Sequence, residues 1–138
     1  MINTSILQMH KLGNNLSIDV EFWNKNTREY DYGLFTIDTG ASVTTISTDI
    51  LFDLGYNVID GKPNQISTAS SIEFVREVVV DKIRIGDFVL ENVLVYAHTF
   101  PESCFTTGVI GLNILSQFDI NLIFSKKLIE INKQGLTD

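Results

Sequence analysis

One cysteine, Cys104, stands in 138 residues, so no disulfide can close within the chain. Basic residues are also sparse: 10 Lys and Arg against 17 Asp and Glu leave a net charge of −7. That balance disfavours nucleic acid and anionic membrane surfaces, which are held chiefly by Lys and Arg. The one local exception, Lys126-Lys127, is a pair and not a patch. No apolar run approaches the roughly 18 residues of a membrane span. The opening stretch, MINTSILQMHKLGNN, lacks the charged-then-apolar order of a secretory signal. A lone thiol without such a signal points to the cytoplasm. His10 and His98 have no companions at metal-ligand spacing, and a single cysteine cannot complete a zinc site with them. No phosphate-cradling glycine loop is present, and Ser42 and Ser47 lack a nucleophile elbow. The expectation is a domain without metal, cofactor, nucleic acid or membrane partner.

What is present is folding material. A hydrophobic content of 44% with 20% charged residues fits an ordered protein. The length suits one domain with a real core. Strand signals dominate. Leu16, Ile18, Val20 and Phe22 alternate with polar residues; Asn24 to Asp31 reads as a hairpin turn, and Tyr32 to Asp38 as its return strand. A second strand-rich block runs from Ile72 to Ala97 around a Gly86-Asp87 turn, and Lys127 to Asn132 is the last strand candidate. Helix signals are short: Asp49 to Leu54, capped by Ser47 or Thr48 and stopped at Gly55, and Leu112 to Phe118 after Gly111. Asn57 to Asn64 reads as an exposed turn. Nothing marks a second domain, and residues 1–15 match no assignable pattern.

One carboxylate is oddly placed. Asp38 ends the apolar run Phe35-Thr36-Ile37 and leads into Thr39-Gly40-Ala41-Ser42. A charge at the end of a buried strand is costly unless paired, neutralised or used. Asp38 can serve as general acid or base. Gly40 permits a tight turn whose amides can hold a carboxylate oxygen. Thr39 can both donate and accept, and Ala41 is small enough for close packing. A faint echo follows: Thr107-Gly108-Val109-Ile110-Gly111 also leads an apolar strand to a glycine and a short helix.

These pieces in this order, from about Leu16 to Asn132, resemble the retropepsin-like aspartic proteases, the single-domain, homodimeric members of the pepsin-related clan. Asp38-Thr39-Gly40-Ala41-Ser42 is similar to their catalytic loop. Val109-Ile110-Gly111 resembles the segment threading beside it, and Ile66 to Ile72 falls where they carry a flap hairpin. Flap tips in the family usually carry glycine, whereas Ala69-Ser70-Ser71 stands here. The resemblance implies a mainly β fold, a closed antiparallel barrel-like sheet with one or two short helices, over residues 16–138. It implies Asp38, Thr39 and Gly40 as the catalytic set, and Ala41, Ala69, Ser70, Ser71, Ile110 and Leu112 as substrate-binding residues. It further implies a homodimer acting on a peptide or protein substrate. Of 10 aspartates, only Asp38 is followed by Thr-Gly, so one chain would supply half of a two-carboxylate site.

Plainer readings stand beside this one. Asp38 alone could be a turn aspartate capping amides, and Val109 to Gly111 alone a core strand. Ser70 and Ser71 suit an ordinary hairpin tip equally well. His10 and His98 read as structural or solvated, and Cys104 as a partly buried thiol. A non-catalytic peptide- or protein-binding dimer of the same fold is the alternative function.

Overall fold

The computed structural model describes residues 3–67, 69–100 and 106–134. Cys104, and residue 68 within the Ile66 to Ile72 stretch, lie outside the described residues. The elements in chain order are β1 (Thr4–Gln8), β2 (His10–Leu12), β3 (Asn15–Asn24), β4 (Glu29–Ile37), β5 (Thr45–Ser47), α1 (Thr48–Asp53), β6 (Pro63–Ser67), β7 (Ile72–Ile85), β8 (Phe88–His98), β9 (Gly108–Ile110), α2 (Leu112–Leu115), β10 (Phe118–Ile123) and β11 (Leu128–Lys133). A single 3₁₀ turn, Phe124–Lys126, joins the last two strands.

The protein is mainly β, as expected. Two-residue alternation builds the long hairpins: in β3, Ile18, Val20 and Phe22 are buried while Asp19 faces water. β3 pairs with β4 from Ser17↔Thr36 to Asn24↔Glu29, confirming the first hairpin with a shorter turn than the sequence suggests. β7 and β8 pair from Arg76↔Ala97 to Ile85↔Phe88 across Gly86, whose φ of +58 explains the glycine.

Strand order in the larger sheet is β2-β3-β4-β9-β5-β8-β7-β6, and a short β3–β7 pairing brings its two sides together. The sheet is not purely antiparallel. β4–β9 and β5–β8 run parallel, because β9 inserts between two strands that are neighbours in sequence. A smaller sheet has the order β1-β11-β10. The residues unassigned from sequence thus supply β1, which pairs with β11 from Thr4↔Asn132 to Gln8↔Leu128. Ser5 adds a lock: its hydroxyl donates to Asp87 Oδ2 and accepts from the Asp87 amide, each at 3.2 Å, fixing the β7–β8 turn.

One apolar core spans both sheets, with Phe35, Ile46, Leu51, Val80, Ile110 and Ile129 at 1% exposure or less. Each such side chain contributes about 1.5–3 kcal/mol through burial. The first helix has the expected length, shifted by one residue, and the second is shorter than the sequence suggests. α2 stops at Leu115, and Phe118 instead opens β10, its ring 5.2 Å from that of Phe88. α1 follows Ser47, whose side chain makes no capping bond, and the chain leaves it through Gly55 at φ +88. None of the helices among the described residues is long and apolar enough to cross a membrane.

Candidate active site

The interlocked strands deliver Asp38. β4 runs beside β9 with Phe35↔Gly108, Thr36↔Val109 and Ile37↔Ile110 in register. Only glycine fits at 108, where a Cβ would sit 2.3 Å from the Thr45 carbonyl oxygen and 2.6 Å from the Phe35 ring. At the end of β4 the Asp38 amide donates to the Ile110 carbonyl at 3.1 Å. The chain then turns: the Ala41 amide donates to the Asp38 carbonyl at 3.2 Å, and the Gly40 amide to Asp38 Oδ1 at 2.8 Å. An amide thus holds one carboxylate oxygen, as the sequence suggested. The other expectation, that Asp38 is buried, fails for the single chain: Asp38, Thr39 and Gly40 are all exposed.

The loop is braced from α2. The Leu112 amide donates to the Ala41 carbonyl at 2.8 Å and the Asn113 amide to the Ser42 carbonyl at 3.1 Å. Asn113 Oδ1 accepts from the Thr44 amide at 2.8 Å and the Thr44 hydroxyl at 2.9 Å, while Nδ2 donates to the Leu94 carbonyl at 2.8 Å. The Thr44 hydroxyl in turn accepts from the Gly111 amide at 3.1 Å. Gly111 must be small, since a Cβ would meet the Val43 carbonyl carbon at 2.7 Å and the Ala41 oxygen at 2.8 Å. Sequence reasoning assigned no role to Thr44 or Asn113. The signal was an Asn two residues after Gly111 in the first turn of a helix, facing a threonine whose proximity only the fold creates.

A cleft of about 520 Å³ opens in front of Asp38. Gly40, Ala41, Ser42, Val43 and Val109 line one side; Gln65, Ile66, Ser67 and Glu73 from the β6–β7 hairpin line another, with Tyr96, His98 and Phe100. This hairpin, Pro63↔Arg76 to Ser67↔Ile72, stands where the sequence placed a flap. Ala41 reaches the cleft. Ala69, Ser70 and Ser71 sit at the exposed hairpin tip, outside the cleft lining of one chain. Ile110 is 1% exposed and packs in the core, and Leu112 is 43% exposed on α2; neither lines the cleft, whereas Val109 does. His98, read from sequence as structural or solvated, lines the cleft and approaches Glu73 Oε2 through Nε2 at 2.6 Å. Counting outward from the Gly86-Asp87 turn sets His98 opposite Val75, one side-chain repeat from Glu73, so the hairpin held this signal. Among the described residues no three His, Cys, Asp or Glu gather in a way that could hold a metal ion.

A strand-bound Asp-Thr-Gly loop, buttressed by a threaded strand and facing a cleft lined by a β-hairpin, defines the aspartic protease class. Residues 29–114 match the aspartyl protease family model, and the chain belongs to that family. The fold is retropepsin-like: a retropepsin-like aspartic protease from Rickettsia conorii superimposes with a TM-score of 0.68 over 94% of this chain and 90% of that one, at 17% identity. No curated protein sequence matches the chain.

Proposed function

We propose that the chain is an aspartic endopeptidase, active as a homodimer in which two copies of Asp38 share one water. The observation that carries this is Asp38 itself: a carboxylate held by the Gly40 amide, exposed in one chain, at the mouth of a cleft. In the proposed reaction one Asp38 takes a proton from the water while the other donates to the scissile carbonyl, leaving a tetrahedral gem-diol. Transfer of a proton to the amide nitrogen then lets the C–N bond break and frees the two peptide products. Two carboxylates about 3 Å apart repel by roughly 5 kcal/mol at an effective dielectric near 20, so the pair retains one proton between them. In the dimer the Thr39 hydroxyls would bond across the two-fold axis, Gly40 would keep the loop tight, and the Ala69-Ser70-Ser71 tips would close over an extended peptide.

The test compares wild type with Asp38→Asn on a mixed peptide library from pH 4 to 7. Cleavage by the wild type should fall by roughly ten-thousandfold or more in the variant. Equal peptide binding by both proteins with no cutting by either would instead support the binding module, which the serine-tipped hairpin favours.

A further inference from the structure

The tip of the β6–β7 hairpin is inverted. Ile72 and Phe74 face water at 60% and 76% exposure, while Glu73 between them turns toward the cleft beside its cross-strand partner Ile66. Val75, 3% exposed and two residues on from Glu73, fixes which face of β7 turns inward, and that alternation sets the Glu73 carboxylate on the cleft side.

We infer that Glu73, with Tyr96 and Phe100 in the same cleft lining, forms a subsite for a cationic side chain, arginine or lysine, of the bound peptide. This names the substrate class for the protease reading and rests on it only for the cutting step. The lining described for the cleft contains two carboxylates, Asp38 and Glu73, and no Lys or Arg. His98 orients Glu73 through the 2.6 Å contact, and its ring meets Phe100 edge-on at 5.2 Å. A further acid stands behind: Glu77, cross-strand from Tyr96, has a shielded Oε2 with no partner among the described residues. Arg76, between the two acids in sequence, is exposed and donates to the Gly61 carbonyl at 3.1 Å. The Tyr96 hydroxyl accepts from Asn64 Nδ2 at 3.1 Å, which fixes that ring. Aromatic walls ending in a carboxylate suit a long alkyl stem with a positive head, through stacking, cation–π attraction and a charge-assisted hydrogen bond. A two-fold axis through Asp38 would repeat the subsite on the other side of the scissile bond.

The experiment uses the full chain carrying Asp38→Asn, which removes the other cleft carboxylate and prevents cutting. Arginine and its neutral isostere citrulline are scanned through each position of an apolar decapeptide, and affinity is read by fluorescence anisotropy. At one position or a symmetric pair, arginine should bind about tenfold tighter than citrulline. Adding Glu73→Gln should bring that ratio to about one, and Glu73→Lys should invert the preference toward a glutamate peptide. Absence of any arginine preference, absence of peptide binding, or a preference that survives Glu73→Gln overturns the subsite. The protease reading is scored separately with intact Asp38. Cutting without charge preference removes the subsite alone. A Glu73-dependent arginine preference in a protein that cuts nothing upholds the subsite and removes the protease reading.

Discussion

Asp38 and Asn113 divide the labour at the scale of single residues. Asp38 carries the proposed chemistry; Asn113 carries its placement, with three side-chain hydrogen bonds tying the loop at Thr44 to the β8 carbonyl of Leu94. Replacing Asn113 with alanine strands the Thr44 amide and hydroxyl in a site where Thr44 is fully buried. Each unsatisfied buried group costs about 1–3 kcal/mol, so Asn113→Ala should lower the unfolding free energy by about 2–4 kcal/mol in urea titrations. Asn113→Asp keeps the acceptor for Thr44 and sets a second oxygen against the Leu94 carbonyl, so its loss should be intermediate between wild type and alanine. Equal stability of all three proteins would show that the brace contributes nothing. The Asp38 loop was legible in the sequence because its residues are contiguous. The brace was not, since Thr44 and Asn113 are 69 positions apart.

At the scale of elements, the small sheet shows how the first and last described strands are held together. Glu130 of β11 accepts from Asn121 Nδ2 at 2.9 Å and from Asn132 Nδ2 at 3.0 Å, both on Oε1. The Asn132 bond and then the Asn121 bond hold its carboxyl below the usual glutamate range. A carboxyl lowered by folding adds stability above its unfolded value and loses it as pH falls through the folded one. Wild type should therefore exceed Glu130→Gln in thermal stability at neutral pH, with the margin shrinking below about pH 4. A margin constant from pH 3 to 7 would rule this out. The long hairpins were readable because alternation is local. β1, β2, β5 and β10 were not: they are short or polar-rich, and strands such as β1 and β5 earn their place through partners far along the chain. Phe118 shows the same override, leaving a helical pattern to pack against Phe88.

At the scale of the whole molecule, the proposed mechanism needs two chains, because one chain carries a single Asp-Thr-Gly aspartate. Specific activity should therefore drop on dilution, in step with the monomer fraction read by sedimentation equilibrium. A monomer that keeps full activity at every concentration would end the two-chain mechanism.

The sequence by itself determined the β-rich class, the principal hairpins and the Asp38-Thr39-Gly40 loop, because side-chain alternation, glycine turns and a contiguous motif act over a few residues. Tertiary structure alone decided that β9 threads between β4 and β5, parallel to the first and antiparallel to the second, and that Asn113 props Thr44. It also formed the cleft that the Glu73–His98 pair, brought together by a local hairpin, faces. Those outcomes depend on chain segments tens of residues apart meeting in one register, and that register is set by burial of the common core rather than by any local pattern.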